Sequence, residues 1–240
     1  MSVKAEPLDI VSLFERKLLS SPGGYGVLKI VLFGSHAKGT AQPESDIDVL
    51  VVAGRESESR EAVADAAFEA QMRHAAAIEP VVMSVDELFP VTSYFVKNAL
   101  ETGKEVFTVS DVELRDQERR NLIDLGDEYL AGADAVFTQG IWRLAADTAY
   151  NAAELAVKAL ILKHDSDLPG SHGGVVGRFG ELFVTTGKYD RLLGRRLNHA
   201  LEKRNRARYR IDADIRREDA ETVRALAREL LEIARLELTG

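Results

Sequence analysis

Two aspartates separated by one residue, Asp46 and Asp48, are the side chains whose spacing most directly suggests chemistry. They open an apolar run. Because strand side chains alternate between faces with a period of two, both carboxylates are expected on one face of a strand. Like charges so placed repel each other unless a cation lies between them, and Mg²⁺ takes one or two carboxylates together with phosphate oxygens. The spacing therefore predicts a Mg²⁺ site. The alternative is a pair of solvated residues on an exposed strand face.

A Gly34-Ser35 turn, which ends an earlier apolar run, precedes the aspartates by ten intervening residues. A turn of this kind at a strand end leaves backbone N–H groups and a hydroxyl available, as a phosphate-binding loop requires. A hairpin would bring this turn next to Asp46 and Asp48. The combination of a phosphate loop with a metal pair favours nucleotidyl transfer over the solvated alternative.

The Gly-Ser turn and the Asp-x-Asp pair together resemble the signature of the DNA polymerase β-like nucleotidyltransferases, in particular the minimal nucleotidyltransferases (MNT). The resemblance implies transfer of a nucleoside monophosphate, with AMP the expected one, from Mg·ATP or another NTP to an acceptor hydroxyl. Asp46 and Asp48 would hold Mg²⁺ on the triphosphate, while Gly34 and Ser35 would bind the β- and γ-phosphates. Lys38 is a further candidate phosphate contact, and a solvated lysine is its alternative.

Glu79 is the candidate for a third catalytic and metal-binding carboxylate. It lies in an apolar segment, 78–84, that is predicted to be a strand, and Pro80 indicates an edge position. In the polymerase β-like family a third carboxylate on such a strand completes the metal site and activates the attacking hydroxyl. Glutamate rather than aspartate departs from the family pattern, and a residue that caps a strand start is the alternative.

Hydrophobic periodicity predicts an α+β order around these strands and an all-α second half. The resemblance assigns residues 1–109 to an MNT-like domain and leaves residues 110–240 for the helical bundle. In the first half the predicted helices are 8–20, 60–77 and 94–101, and the predicted strands after the Gly-Ser turn are 47–52, 78–84 and 104–109. In the second half amphipathic helices are predicted at 111–133, 142–164, 173–186, 189–209 and 217–238.

Four phrases in the second half resemble a HEPN domain, the helical partner that accompanies MNT domains as neighbour or fusion. They are Ala149–Leu160, Ser171–Val175, Phe179–Gly187 and Arg204–Tyr209. The resemblance implies a toxin–antitoxin type of protein and a homodimer that forms through the HEPN domain. The expected fold is therefore a polymerase β-like nucleotidyltransferase domain followed by an all-α HEPN bundle.

The HEPN ribonuclease motif is incomplete in this sequence. Arg204 and Asn205 match its first two positions, but Tyr209 occupies the place of the histidine. A phenol with a pKa of ~10 is a poor general base at neutral pH, which puts ribonuclease activity in question. The stretch Lys203–Arg210 contains five basic residues and is a candidate RNA contact, with a solvated helical face as the alternative.

Three functions remain open at this point. The first is a fused MNT–HEPN nucleotidyltransferase, in which Tyr209 could itself receive the nucleotide. The second is an aminoglycoside-type antibiotic nucleotidyltransferase, and the third is a nucleotide- or RNA-binding module whose chemistry has lapsed. The preferred nucleotide and the acceptor, whether protein, RNA or small molecule, stay undetermined.

The composition indicates the cell compartment of the protein and excludes several kinds of chemistry. The 240 residues contain no cysteine, which excludes disulfides and thiolate chemistry and favours a cytoplasmic protein. No apolar stretch approaches the ~18 residues of a membrane span. The net charge of -8 argues against broad, non-specific nucleic-acid binding.

Overall fold

The structure is a computed structural model that describes residues 7–42, 44–74, 76–89 and 91–239. The chain divides into two compact units, Met1–Gln117 and Glu118–Gly240. The first unit carries the aspartate pair and the second carries the Arg204-Asn205 motif. Each unit has its own hydrophobic core, so each is described separately below.

The first unit alternates helices and strands, as the periodicity predicts. Its elements are α1 (Pro7–Leu19), β1 (Val27–Leu32), α2 (Gly34–Lys38), β2 (Ile47–Ala53), α3 (Glu56–His74), β3 (Ile78–Ser84), α4 (Tyr94–Thr102) and β4 (Lys104–Thr108), followed by the start of α5 (Asp111–Thr138). Short 3₁₀ helices lie at Pro22–Gly24 and Val85–Leu88. Ser84 and Glu87 form a capping box at the second of these, which explains why the chain turns directly after β3.

The four strands form one sheet in the order β3-β2-β1-β4. β1 and β2 pair antiparallel, with Leu32 opposite Val49, so the hairpin predicted between the Gly-Ser turn and the aspartates is present. β3 lies parallel to β2 at one edge of the sheet. Pro80 therefore occupies an edge strand, where a residue without an N–H removes no central hydrogen bond.

The sheet separates two apolar cores, and this assigns each strand residue to a face. Ile47, Val49 and Val51 pack into the core that contains residues of α1 and α3. Leu50 and Val52 pack into the opposite core, which contains Val96 and Ala99 of α4. Because Asp48 alternates with Val49, its side chain lies on the α4 face of the sheet.

The second unit is all-α. It contains the rest of α5, then α6 (Trp142–Ile161), α7 (His172–Phe179), α8 (Arg191–Tyr209) and α9 (Arg217–Thr239). The centre is α6, where alanines and Tyr150 are fully buried and allow close helix packing. The predicted helix 173–186 is instead α7 followed by a π-helical segment, Gly180–Val184. None of the described helices is both long enough and apolar enough to cross a membrane.

Candidate active site

Gly34 lies against the carboxylate of Asp48, and this contact joins the turn to the aspartate pair. Gly34 has a φ of 70°, in the left-handed region that favours glycine. A Cβ added to it would lie 2.0 Å from Oδ2 of Asp48. The preceding residue, Phe33, donates its N–H to the carbonyl of Asp48 at 3.0 Å. The sequence therefore needs glycine here for two reasons, the backbone conformation and the space that Asp48 occupies.

The two aspartates interact electrostatically. Asp46 is exposed at the entry to β2, and Asp48 is half-buried two residues later on the strand. Burial raises the pKa of Asp48 above its ordinary value, and the nearby charge of Asp46 raises that pKa further, while His36 lowers it. Burial and the charge of Asp46 thus both disfavour the ionised form of Asp48, and a divalent cation beside the two carboxylates would relieve this cost.

Glu79 is the register partner of Asp48 across the β2–β3 pair. Partnered residues on adjacent strands point to the same face, so both carboxylates lie on the α4 face. Glu79 is exposed. Within the residues that the structure describes, no three His, Cys, Asp or Glu side chains are close enough together to hold a metal ion. The backbone thus brings Glu79 beside Asp48, but the three carboxylates do not form a closed ligand set.

Helix α2 supplies the other residues around the aspartates. Ser35 is its second residue and is half-buried, whereas Lys38 is exposed at its last position. His36 is half-buried, and its Nε2 donates to the carbonyl of Ser45 at 3.1 Å. This bond links α2 to the residue directly before Asp46. No local pattern in the sequence predicts this contact, because it joins a helix residue to a loop nine positions later.

In the second unit Arg204 is buried, with only 3% of its surface exposed. Its Nε lies 3.4 Å from Oδ1 of Asp147 on α6, while Arg208 lies 3.8 Å from the other carboxylate oxygen. Arg204 therefore does not belong to the solvated helical face that the sequence offered as an alternative for these arginines. A buried guanidinium needs a paired charge, and Asp147 provides it.

The end of α8 presents Tyr209 and Asn205 at the surface. Nη1 of Arg204 lies 3.2 Å from Oδ1 of Asn205 and 3.5 Å from the hydroxyl of Tyr209, which is 67% exposed. Arg143 on α6 bonds to the backbone on both sides of Tyr209. Its guanidinium donates to four carbonyls of this segment, those of Ala207, Arg210, Ile211 and Ala213.

A buried polar row continues along α6 from Asp147. Tyr150 is fully buried, and burial together with the neighbouring Glu154 carboxylate raises the pKa of its hydroxyl. Glu154 is bonded to Nδ1 of His172, at the start of α7, and to Nζ of Lys158 at 2.9 Å. Burial raises the pKa of Glu154, but the bonds from His172 and Lys158 outweigh this and hold the pKa below its ordinary value.

Comparison with known families assigns both units. The nucleotidyltransferase domain family matches residues 14–106, and the HEPN domain family matches residues 120–237. The first match contains the Gly34-Ser35 turn and all three acidic candidates, and the second contains Arg204, Asn205 and Tyr209. The chain belongs to both families. It is a nucleotidyltransferase joined in one polypeptide to a HEPN domain.

Relatives of this nucleotidyltransferase–HEPN protein occur in Methanocaldococcus jannaschii. The protein named “Putative toxin MJ0605” is 32% identical over 45% of this chain and 78% of its own length. The protein named “Putative protein adenylyltransferase MJ0604” is 34% identical over 34% of this chain and 79% of its own length. The two relatives bear the two kinds of name, toxin and adenylyltransferase, that the toxin–antitoxin resemblance implies.

A solved structure is similar over most of the nucleotidyltransferase–HEPN chain. It is spectinomycin adenyltransferase AAD(9) from Enterococcus faecialis with ATP and spectinomycin, which is 15% identical over 94% of this chain and 98% of its own, with a TM-score of 0.31. A likeness of this size carries no argument about the substrate of this protein. The antibiotic alternative is therefore not better supported than the MNT–HEPN interpretation.

Proposed function

We propose that this protein transfers a nucleoside monophosphate, with AMP the expected one, from Mg·NTP to a hydroxyl acceptor. The observation that carries the proposal is the contact between Gly34 and the Asp48 carboxylate, because it joins the predicted phosphate turn to the predicted metal pair. We assign the nucleotidyltransferase domain to residues 1–109 and the HEPN domain to residues 110–240.

The residues present fit a Mg²⁺ ion. Asp46 and Asp48 would supply hard oxygen ligands two residues apart, and the charge of Asp46 raises the pKa of Asp48, so the pair would gain from a cation. Mg²⁺ bound there would neutralise charge on the triphosphate and polarise the α-phosphate. Gly34 and Ser35 would bind the β- and γ-phosphates. Lys38 is exposed, and its ammonium group would add a further phosphate contact.

The reaction is a displacement at the α-phosphorus. The acceptor oxygen forms a bond to this phosphorus as the bond to the bridging oxygen of the β-phosphate breaks, and pyrophosphate leaves. We assign the hydroxyl proton to Glu79, because its side chain is exposed and it lies beside Asp48 in register. Positioning and charge neutralisation then supply most of the rate enhancement.

Tyr209 is our candidate acceptor, in the same chain or in a second copy. Its phenol is exposed, and the backbone around it is fixed by Arg143. The name of the adenylyltransferase relative also favours a protein side chain as acceptor over a drug. Peptide mapping after incubation with labelled Mg·ATP tests this, and an unlabelled Tyr209 in a sample where other residues are labelled rejects it.

For the HEPN domain we propose a homodimer in the cytoplasm, without ribonuclease activity of the usual kind. Tyr209 replaces the general base, which supports the loss of that activity. Within Lys203–Arg210, a candidate RNA contact would rest on the exposed residues Arg206, Arg208 and Arg210, because Arg204 is buried. Sedimentation at several concentrations tests the dimer.

Titration of ATP with and without Mg²⁺ tests the site itself. The parent is expected to bind Mg·ATP, and the double variant Asp46→Asn/Asp48→Asn is expected to lose Mg²⁺-dependent binding. Asp65→Asn is a matched control, because Asp65 is an exposed aspartate on α3, the helix that packs on the opposite face. If the double variant binds Mg·ATP as well as the parent, the metal assignment is wrong. Binding without transfer would favour the lapsed module.

A further inference from the structure

Two adjacent aromatic residues begin α4, and both are exposed. Tyr94 is 83% exposed and Phe95 is 42% exposed. Ser93 caps the helix by accepting the N–H of Val96, so the position of the two aromatic residues at the first turn is fixed. Large aromatic side chains that stay in water next to a polar site are typical of ligand contacts.

Phe95 contacts the residue that directly precedes the phosphate turn. Its ring packs edge-to-face on Phe33, with the ring centroids 5.3 Å apart and an interplanar angle of 84°. Phe33 is the residue directly before Gly34, and its N–H bonds to Asp48. One side chain therefore separates Phe95 from the turn that holds Gly34 against Asp48.

Helix α4 and the Asp48 carboxylate also lie on the same face of the sheet. Val96 and Ala99 of α4 belong to the core that contains Phe33 and Leu50. Asp48 points to this face because it alternates with residues of the opposite core. A nucleotide whose phosphates lie at Gly34-Ser35 and Asp48 thus has α4 beside it, and the Phe33–Phe95 contact brings the first turn of α4 closest to the Gly34-Ser35 turn.

We propose that Tyr94, supported by Phe95, stacks on the nucleobase of the bound NTP. The inference rests on the proposed function, because the phosphates must first bind at the turn. Every base has a π-face, so stacking discriminates weakly between individual bases. The larger purine ring covers more of the tyrosine, so ATP and GTP are expected to bind more tightly than CTP and UTP.

Binding of two ligands separates the base contact from the phosphate contact. Mg·ATP carries a base, and Mg·tripolyphosphate carries none. Tyr94→Ala is expected to weaken Mg·ATP binding about tenfold, within the range measured for loss of one base-stacking ring, and to leave Mg·tripolyphosphate binding unchanged. Tyr94→Phe, which keeps the ring, is expected to bind both ligands as the parent does.

Tyr25→Ala is the matched control. Tyr25 is 80% exposed, and it lies before the first residue of β1, at the far end of that strand from Gly34. It is expected to change the binding of neither ligand. If Tyr94→Ala binds Mg·ATP as the parent does, or weakens Mg·tripolyphosphate equally, the stacking role is wrong and the phosphate site stands. If the parent binds neither ligand, the proposed function fails as well.

Discussion

Replacement of Gly34 by alanine separates the two roles of this glycine. At a φ of 70° an alanine costs about 1–2 kcal/mol of folding free energy, because its Cβ approaches the following carbonyl oxygen. The added Cβ also lies 2.0 Å from Oδ2 of Asp48, where ordinary contact needs more than 3 Å. The Asp48 side chain must therefore move by about 1 Å, a misplacement that can cost about 100-fold in rate, or ~2.7 kcal/mol in the barrier.

Gly39 is a close control for this change. It ends α2 with a φ of 72°, and an added Cβ meets no described atom within 4 Å. Gly39→Ala should therefore lose the same ~1–2 kcal/mol of stability and keep its activity. Denaturant unfolding gives the stability of both variants, and transfer of label from α-phosphate-labelled ATP gives their activity. Equal activity losses in the two variants, or full activity in Gly34→Ala, would refute the geometric argument.

Three further predictions concern contacts outside the Gly34–Asp48 pair. His36→Ala removes the bond to the carbonyl of Ser45 and should lower kcat/KM about tenfold. His36→Gln should recover part of this loss, because its amide can donate near the position of Nε2. Equal kcat/KM values in His36→Ala and the parent would contradict this. The pKa of Glu237 is lowered from 4.5 to about 2 by Lys188 above all, so its contribution to stability should be lost as pH drops from 4.5 towards 2. Acid-unfolding curves of Glu237→Gln should therefore fall less steeply over this range than those of the parent, and equal slopes would contradict the assignment. Arg143→Ala should destabilise the protein by about 2–4 kcal/mol and speed hydrogen exchange around residues 207–213; unchanged exchange there would show that the four carbonyl bonds do not hold the segment.

Local patterns in the sequence predicted the strands and most helices well. The alternation around Asp46 and Asp48 fixed β2, and the apolar segment at 78–84 matches β3 in both bounds. The capping box of Ser84 and Glu87 is local in the same way, because its two residues are three positions apart. These features depend on residues close together in the chain, which is why one sequence suffices.

Contacts between distant residues were beyond reach of those patterns. The pairing of Glu79 with Asp48 depends on the register of a parallel strand pair, which α3 separates along the chain. The burial of Arg204 depends on Asp147, 57 positions earlier. The local run of alternating arginines therefore could not show that Arg204 differs from its exposed neighbours. The packing of Phe95 on Phe33 likewise joins two segments that share no motif.

The position of the label in ATP distinguishes transfer of a nucleoside monophosphate from transfer of the terminal phosphate. Two samples differ only in whether the α- or the γ-phosphate of ATP carries the label, and each is incubated with Mg²⁺ and the full chain. We expect Mg²⁺-dependent incorporation of the α-label alone, together with release of pyrophosphate, and we expect both to be lost in Asp48→Asn. Incorporation of the γ-label, or α-label transfer that persists in Asp48→Asn, would contradict this.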